Sequence, residues 1–182
     1  DAINETELIA SANVCDETIT LAAGGTEKRY TCNGSITTSE KPVDIIPKLA
    51  SAMAGYVVKI GAGWNIHAGA YDTPTITLTQ TDLAGAIGWQ SLVSRRESCN
   101  GVKGIYVEPS TLYQPADFPA VISDTAVLED GGESIWHDLR LEFTQSGSMA
   151  QRIAKIDLLR TRQPLTVSFP GKLSAFRAQP GK

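Results

Sequence analysis

The chain has 182 residues, 42% of them hydrophobic, enough for one ordinary domain or two small ones around a shared core without disulfides or metal. A net charge of -4 and a pI near 5.2 weigh against nucleic acid, whose protein partners carry a basic face. No apolar run reaches membrane-spanning length, residues 1–30 lack the layout of a signal peptide, and three cysteines without C-x-x-C spacing give neither a zinc site nor a disulfide framework.

The first helix is signposted by Asn4 as its cap, Glu7 three residues on, and Ile3 with Leu8 as a hydrophobic staple. Leu8, Ala12, Cys15 and Ile19 then recur on one apolar face. Gly24-Gly25 ends that unit, and Lys28 to Thr37 reads as a strand with a bulge at Asn33-Gly34. A second helix puts Ile45, Leu49, Ala52 and Met53 on one side and stops at Gly55, a natural C-terminal cap. Asp44 is the expected N-cap, because Pro47 then falls in the first turn, where its missing donor costs nothing. Tyr56 to Ile60 and Trp64 to Ala68 flank a three-residue glycine loop, Gly61-Ala62-Gly63.

Past Pro74 the texture is strand-like. Thr75 to Leu78, Ile87 to Ser94, Val102 to Glu108, Ile135 to Phe143 and Leu165 to Phe169 read as strands. Pro109 to Asp124, with three prolines, reads as a long loop that packs on a neighbour or stays mobile. One helix interrupts this half, with Ser148 and Gln151 as a capping box and Met149, Ile153 and Ile156 on one side. Arg160 and Arg162 at its C-terminal end suit the helix dipole. The reading is α+β: a small helix–hairpin unit over residues 1–72, then a β-rich unit over 73–182 with one further helix.

Catalytic chemistry finds little support. His67 and His137 lie in strands, and Asp138, next to His137, points to the opposite face. There is no G-x-S-x-G and no S-x-x-K. Asp130-Gly131-Gly132-Glu133 lacks calcium-loop spacing and reads as a solvated turn. Gly101 and Gly104 are followed by no helix start, so they make no phosphate loop. Arg95-Arg96-Glu97 reads as a salt-bridge cluster between loops or subunits. Trp64, Trp89 and Trp136 are expected in the core rather than along a sugar groove. Charge is uneven: residues 1–139 hold 8 basic and 18 acidic side chains, residues 140–182 hold 8 and 2. The plain account is two solvated faces; the sharper one is attraction between neighbouring subunits. Arg152, Lys155 and Arg162 on the last helix are the candidate interface residues.

A series of short segments runs the length of the chain. Ala12-Asn13-Val14-Cys15-Asp16, Arg29-Tyr30-Thr31-Cys32-Asn33-Gly34, Met53-Ala54-Gly55, Trp64-Asn65-Ile66-His67-Ala68-Gly69-Ala70-Tyr71 and Leu78-Thr79-Gln80-Thr81-Asp82-Leu83 come first. Asn100-Gly101-Val102-Lys103-Gly104-Ile105-Tyr106, Gln114-Pro115-Ala116-Asp117-Phe118-Pro119 and Asp130-Gly131-Gly132-Glu133-Ser134-Ile135-Trp136 follow. In that order the set resembles the central tail-tip (host-specificity) protein of lambda-like siphophages and their prophage relatives, in its baseplate-hub region.

The resemblance implies a partly barrel-like second unit and a structural, non-enzymatic role. The role is part of a hub that closes the tail tube and supports the central fibre for host attachment. The implied partners are other hub subunits in a homotrimer and the neighbouring tail-tube and distal-tail proteins, without nucleic acid binding, membrane insertion or a cofactor. The implied location is the virion tail tip, after assembly in the bacterial cytoplasm. Because the chain starts without Met and stops at Gln179-Pro180-Gly181-Lys182, where such proteins run on, it is expected to be an internal piece, monomeric or only weakly self-associating when isolated. The alternatives are a tail-associated peptidoglycan hydrolase or peptidase and a receptor- or glycan-binding module.

Overall fold

The computed structural model describes residues 2–74, 76–91, 98–163 and 165–178. Thr75, residues 92–94 of the strand expected from Ile87, the Arg95-Arg96-Glu97 cluster and Gln179 to Lys182 lie outside them. Within the described residues the fold is mixed: four α-helices and four small sheets, none closed into a barrel, so the barrel-like part of the expectation is corrected.

Helix α1 (Glu5–Asp16) starts at Asn4 as read, with the Asn4 carboxamide oxygen accepting from the Glu7 amide at 3.5 Å. Its inward face is Glu7, Ser11, Val14 and Cys15, whereas Ile3, Leu8 and Ala12 stay exposed, so the apolar stripe read from the sequence is off by about one residue. Ser11 decides the orientation: its hydroxyl donates to the Ile66 carbonyl at 2.6 Å and accepts from the Ala68 amide at 3.3 Å, docking the helix on the hairpin. That hairpin is β4 (Tyr56–Ile60) and β5 (Gly63–His67), with a short β1 (Ala2–Ile3) parallel to β5. Its loop is two residues rather than three, and Gly61 takes φ +60 at the first central position, as a type II′ turn demands.

Ile19 is in β2 (Thr18–Thr20), paired with β3 (Thr26–Lys28), rather than on α1. The strand expected from Lys28 to Thr37 ends at Lys28. Beyond it the chain is tied by single hydrogen bonds, Arg29 N to Glu17 O, Tyr30 N to Cys15 O and Asn33 N to Phe143 O, with Gly34 against the Phe143 ring. Helix α2 (Pro42–Ser51) starts earlier than expected, with Pro42 in its first turn and Pro47 inside it. Ile45 and Leu49 do lie on its inner side, with buried Ala50, while Ala52 and Met53 are turned inward just past its end. The lost amide of Pro47 would have met the carbonyl of Val43, an exposed residue that water can satisfy, which is why the early start survives. Ala54, φ 48, is the left-handed residue after the helix; Gly55 is needed because a Cβ there would lie 2.1 Å from the His67 carbonyl oxygen.

The central sheet is built on β7 (Gly101–Glu108), flanked by β8 (Gln114–Asp117) and β9 (Val121–Ile122) antiparallel and by β10 (Trp136–Leu141) parallel. The expected loop from Pro109 to Asp124 thus contains two short strands, six of its sixteen residues, and a 3₁₀ turn at Pro109–Thr111. Pro115 sits in β8, an edge strand that tolerates a missing donor, and consecutive left-handed residues Leu112 and Tyr113 turn the chain. Close packing explains both β7 glycines: a Cβ at Gly101 would meet the Trp136 ring, and one at Gly104 would lie 1.8 Å from the Leu139 carbonyl oxygen.

After a short α3 (Asp124–Glu129), missed in the sequence, α4 (Gly147–Thr161) crosses β7. Its N-cap is Ser146, two residues before the expected box, with the Ser146 hydroxyl accepting from the Met149 amide at 3.3 Å. Met149, Ala150, Ile153, Ala154 and Leu158 are buried against Val102, Tyr106, Phe118 and Leu141, and the two alanines let helix and sheet approach closely. Tyr30 and Ala54 join that cluster, and the Tyr30 hydroxyl donates to the Gly69 carbonyl at 2.6 Å, so residues before and after position 72 share one core.

Apart from this core, β6 (Gly88–Gln90) and β11 (Thr166–Ser168) make a two-stranded antiparallel ribbon. It continues through an isolated bridge, Leu83 to Gly171, toward two 3₁₀ turns, Gln80–Asp82 and Leu173–Arg177.

Candidate functional site

The cationic helix was the first candidate, and α4 places its three residues differently. Arg152 is directed inward: Nη1 lies 2.6 Å from Glu27 Oε1 and Nη2 donates to the Arg29 carbonyl at 2.9 Å. Glu27 also accepts from the hydroxyls of Ser148 (2.7 Å) and Ser146 (2.8 Å). Burial pushes the Glu27 carboxyl up, but those serine and arginine hydrogen bonds outweigh it and hold its pKa below the usual range. Arg162 is directed inward too, donating to Asp130 Oδ2 at 2.8 Å, Glu129 Oε2 at 2.6 Å and Ser98 Oγ at 3.2 Å. Lys155 alone is exposed and has no ion pair among the described residues.

Arg162 belongs to a buried polar knot that the sequence did not reveal. At its centre Asn100, 0% exposed, donates through Nδ2 to Asp130 Oδ2 (2.9 Å) and the Glu133 carbonyl (2.7 Å), while its Oδ1 accepts from the Ile135 amide (2.7 Å). The Asp130-Gly131-Gly132-Glu133 turn is therefore not simply solvated. Positive φ at Gly131 and Gly132 bends it back so that the Asp130 carboxylate faces Asn100 and Arg162. Every oxygen and nitrogen in this knot that takes part is already engaged inside the chain, which suits a structural lock rather than a ligand site.

Among the described residues the two histidines meet different partners. His137 Nε2 is 3.5 Å from Asp157 Oδ2 of α4, while Asp138 faces Lys103 at 3.7 Å, as strand alternation requires. His67 stacks on Tyr56 with ring centroids 5.1 Å apart, and its Nε2 is buried without a hydrogen-bond partner. A cleft of about 360 Å³ opens between α2, the hairpin and α4, walled by Ile46, Ala50, Leu139 and Ile153 with Asp157 and Arg160 on its rim. Its hydroxyl-bearing lining residues are Tyr56 and Ser51, whose hydroxyl donates to the Lys48 carbonyl at 2.6 Å. Cys15, Cys32 and Cys99 are unpaired, and burial of the sulfur raises the thiol pKa of each, although as residues Cys99 is buried, Cys15 half-buried and Cys32 exposed. No group of three or more His, Cys, Asp or Glu able to hold a metal occurs among the described residues.

The tryptophans correct the core expectation, since all three reach the surface and Trp89 is 81% exposed. Strand alternation puts Ile87, Trp89, Leu165, Val167 and Phe169 on one face of the ribbon, with Trp89 directly opposite Val167. The other face carries Gly88, Gln90, Thr166 and Ser168. Beside the apolar face an open groove of about 870 Å³ is lined by Leu78, Leu83, Ile87, Val167 and Phe169. Asp82 fixes its rim: its carboxylate accepts from Ser174 Oγ (2.7 Å), the Thr79 amide (2.9 Å) and Thr79 Oγ1 (3.1 Å), with Arg177 at 3.4 Å. Those bonds, Ser174 first, lower its pKa to about 2. No helix of the described residues is long and apolar enough to cross a membrane. No protein-family model matches the chain, and no curated protein matches it.

Proposed function

We infer that the chain is a structural segment of a phage or prophage tail tip. It forms part of the baseplate hub that closes the tail tube and supports the central fibre, alongside sister subunits and neighbouring tail proteins. The observation that carries the reading is the ribbon: five apolar side chains on one face, none of them buried, opposite a face of glycine and polar residues. An apolar face of this size on a small domain marks a contact with other protein, and a two-stranded ribbon needs such packing to be stable. The ordered segments from Ala12 to Trp136 supply the identity of the assembly, and the internal engagement of the polar groups fits a part that is built in rather than one that turns over substrate. Immunogold labelling of particles from the source genome, with antibodies against this chain, should mark one end of the tail; label on capsids or on no particle overturns the reading.

The exposure of Trp89 favours a second reading, a receptor- or glycan-binding module. A sugar platform sets polar groups around its ring, whereas the ribbon neighbours of Trp89 on its own face, Ile87 and Val167, are apolar. The ribbon therefore suits protein better than carbohydrate.

A further inference from the structure

We propose that the apolar face of the β6–β11 ribbon is where copies of this chain meet, Trp89 of one copy entering the groove beside Val167 and Phe169 of the next. The inference deepens the assembly reading and rests on it for biological context, though its geometry stands on the ribbon alone.

The face carries both halves of such a contact. Its convex part is Trp89, 81% exposed, directly across from Val167, 47% exposed. Its concave part is the open groove of about 870 Å³ lined by Val167 and Phe169 of the ribbon together with Leu78 and Leu83. A knob and a groove adjacent on one surface are what contact between identical partners requires, either reciprocally in a pair or head-to-tail in a ring. The charges nearest the face are engaged within the chain: Arg177 faces Asp82 at 3.4 Å, and the Lys172 ammonium donates to the Thr81 carbonyl at 2.9 Å.

Area sets the strength. Ile87, Leu165 and Phe169 are 54, 60 and 40% exposed. Together with Trp89 and Val167, and taking large hydrophobic side chains at about 180 Å² each, they offer roughly 500 Å² per copy. Two copies then bury on the order of 1,000 Å², the lower edge of specific interfaces, so association is concentration-dependent rather than permanent. The opposite face, with Gly88, Gln90, Thr166 and Ser168, offers nothing comparable.

Sedimentation velocity over a concentration series into the high micromolar range tests the contact. The unmodified chain should rise in mass with concentration. Trp89→Asp should weaken association at least tenfold, and Leu165→Glu should do the same if Trp89→Asp fails to fold. Thr166→Glu, on the polar face, should associate as the unmodified chain does. A chain that stays monomeric throughout, or one whose association survives both apolar-face variants, overturns the proposal. Neither result touches the hub reading, which stands or falls on the labelling of particles.

Discussion

Replacing Asn100 with Ala deletes the side chain that ties the start of β7 to the Asp130 turn and to Ile135. Two neutral hydrogen bonds go, to the Glu133 carbonyl and from the Ile135 amide, both 2.7 Å, along with one of 2.9 Å to the Asp130 carboxylate. At about 1 kcal/mol for each neutral bond and about 2 for the charge-assisted one, the loss is about 4 kcal/mol. In a chain of this length, 1 kcal/mol moves the midpoint by about 2–4 °C, so Tm should fall by about 8–16 °C. Asn100→Asp is the sharper probe. It keeps the shape and the acceptor but sets a carboxylate against Asp130 Oδ2. Its loss should equal or exceed that of Ala at neutral pH and shrink as acid protonates the new, raised-pKa carboxyl. Calorimetry and circular dichroism melts at two pH values read both effects. A fall in Tm below about 3 °C for Asn100→Ala, or an Asn100→Asp chain as stable as the unmodified one at neutral pH, would refute the idea that this knot locks the turn.

Pro47→Ala should stabilise the chain by about 2 kcal/mol in urea titrations, since it restores an amide inside α2 and the gain exceeds the unfolded-state entropy that proline removes. Asp82, held near a pKa of about 2 against an ordinary 3.8, contributes stability that is complete above the ordinary value and lost as pH falls through about 2. Tryptophan emission followed down to that pH should show a component that Asp82→Asn lacks. Arg152→Ala should destabilise by about 2–4 kcal/mol because it strips Glu27 of its cation, whereas Lys155→Glu should leave the melt unchanged. Equal effects of the two in thermal melts would mean that the Glu27 contact is not maintained in solution.

Local signals in the sequence were accurate where they depended on neighbouring residues. The Asn4 cap, the inward Ile45 and Leu49 of α2, and strands β7, β10 and β11 follow from capping chemistry and periodicity alone. The misses occur where a distant partner overrides the local rule. Ser11 turned α1 because a carbonyl 55 residues away accepts its hydroxyl, and Ser148 lost the capping role to Ser146 while binding Glu27, 121 residues distant. Pro115 concealed a strand because nothing local says that β8 lies at an edge. The polar knot joins residues 30 to 64 positions apart, so neither the Gly-Gly turn nor the terminal arginine pointed to Asn100.

The opposed charges of the two halves illustrate the same point and bear on assembly. Read as a sequence, +6 in residues 140–182 against -10 in residues 1–139 invites attraction between subunits. In the fold much of that attraction is used within one chain: Arg152 with Glu27, Arg162 with Glu129 and Asp130, Arg177 with Asp82. Arg152 and Arg162 are thus engaged within the chain, and charge reversal at either would test the fold before it tested an interface. Of the three candidate cations on α4 only Lys155 stays without an ion pair among the described residues, whereas the ribbon face around Trp89 exposes five apolar side chains together. Contacts made by such a surface persist or strengthen in salt, whereas contacts between exposed charges fade within a Debye length. The tryptophan ribbon, rather than the arginine helix, is therefore the surface by which this chain has most to gain from joining another.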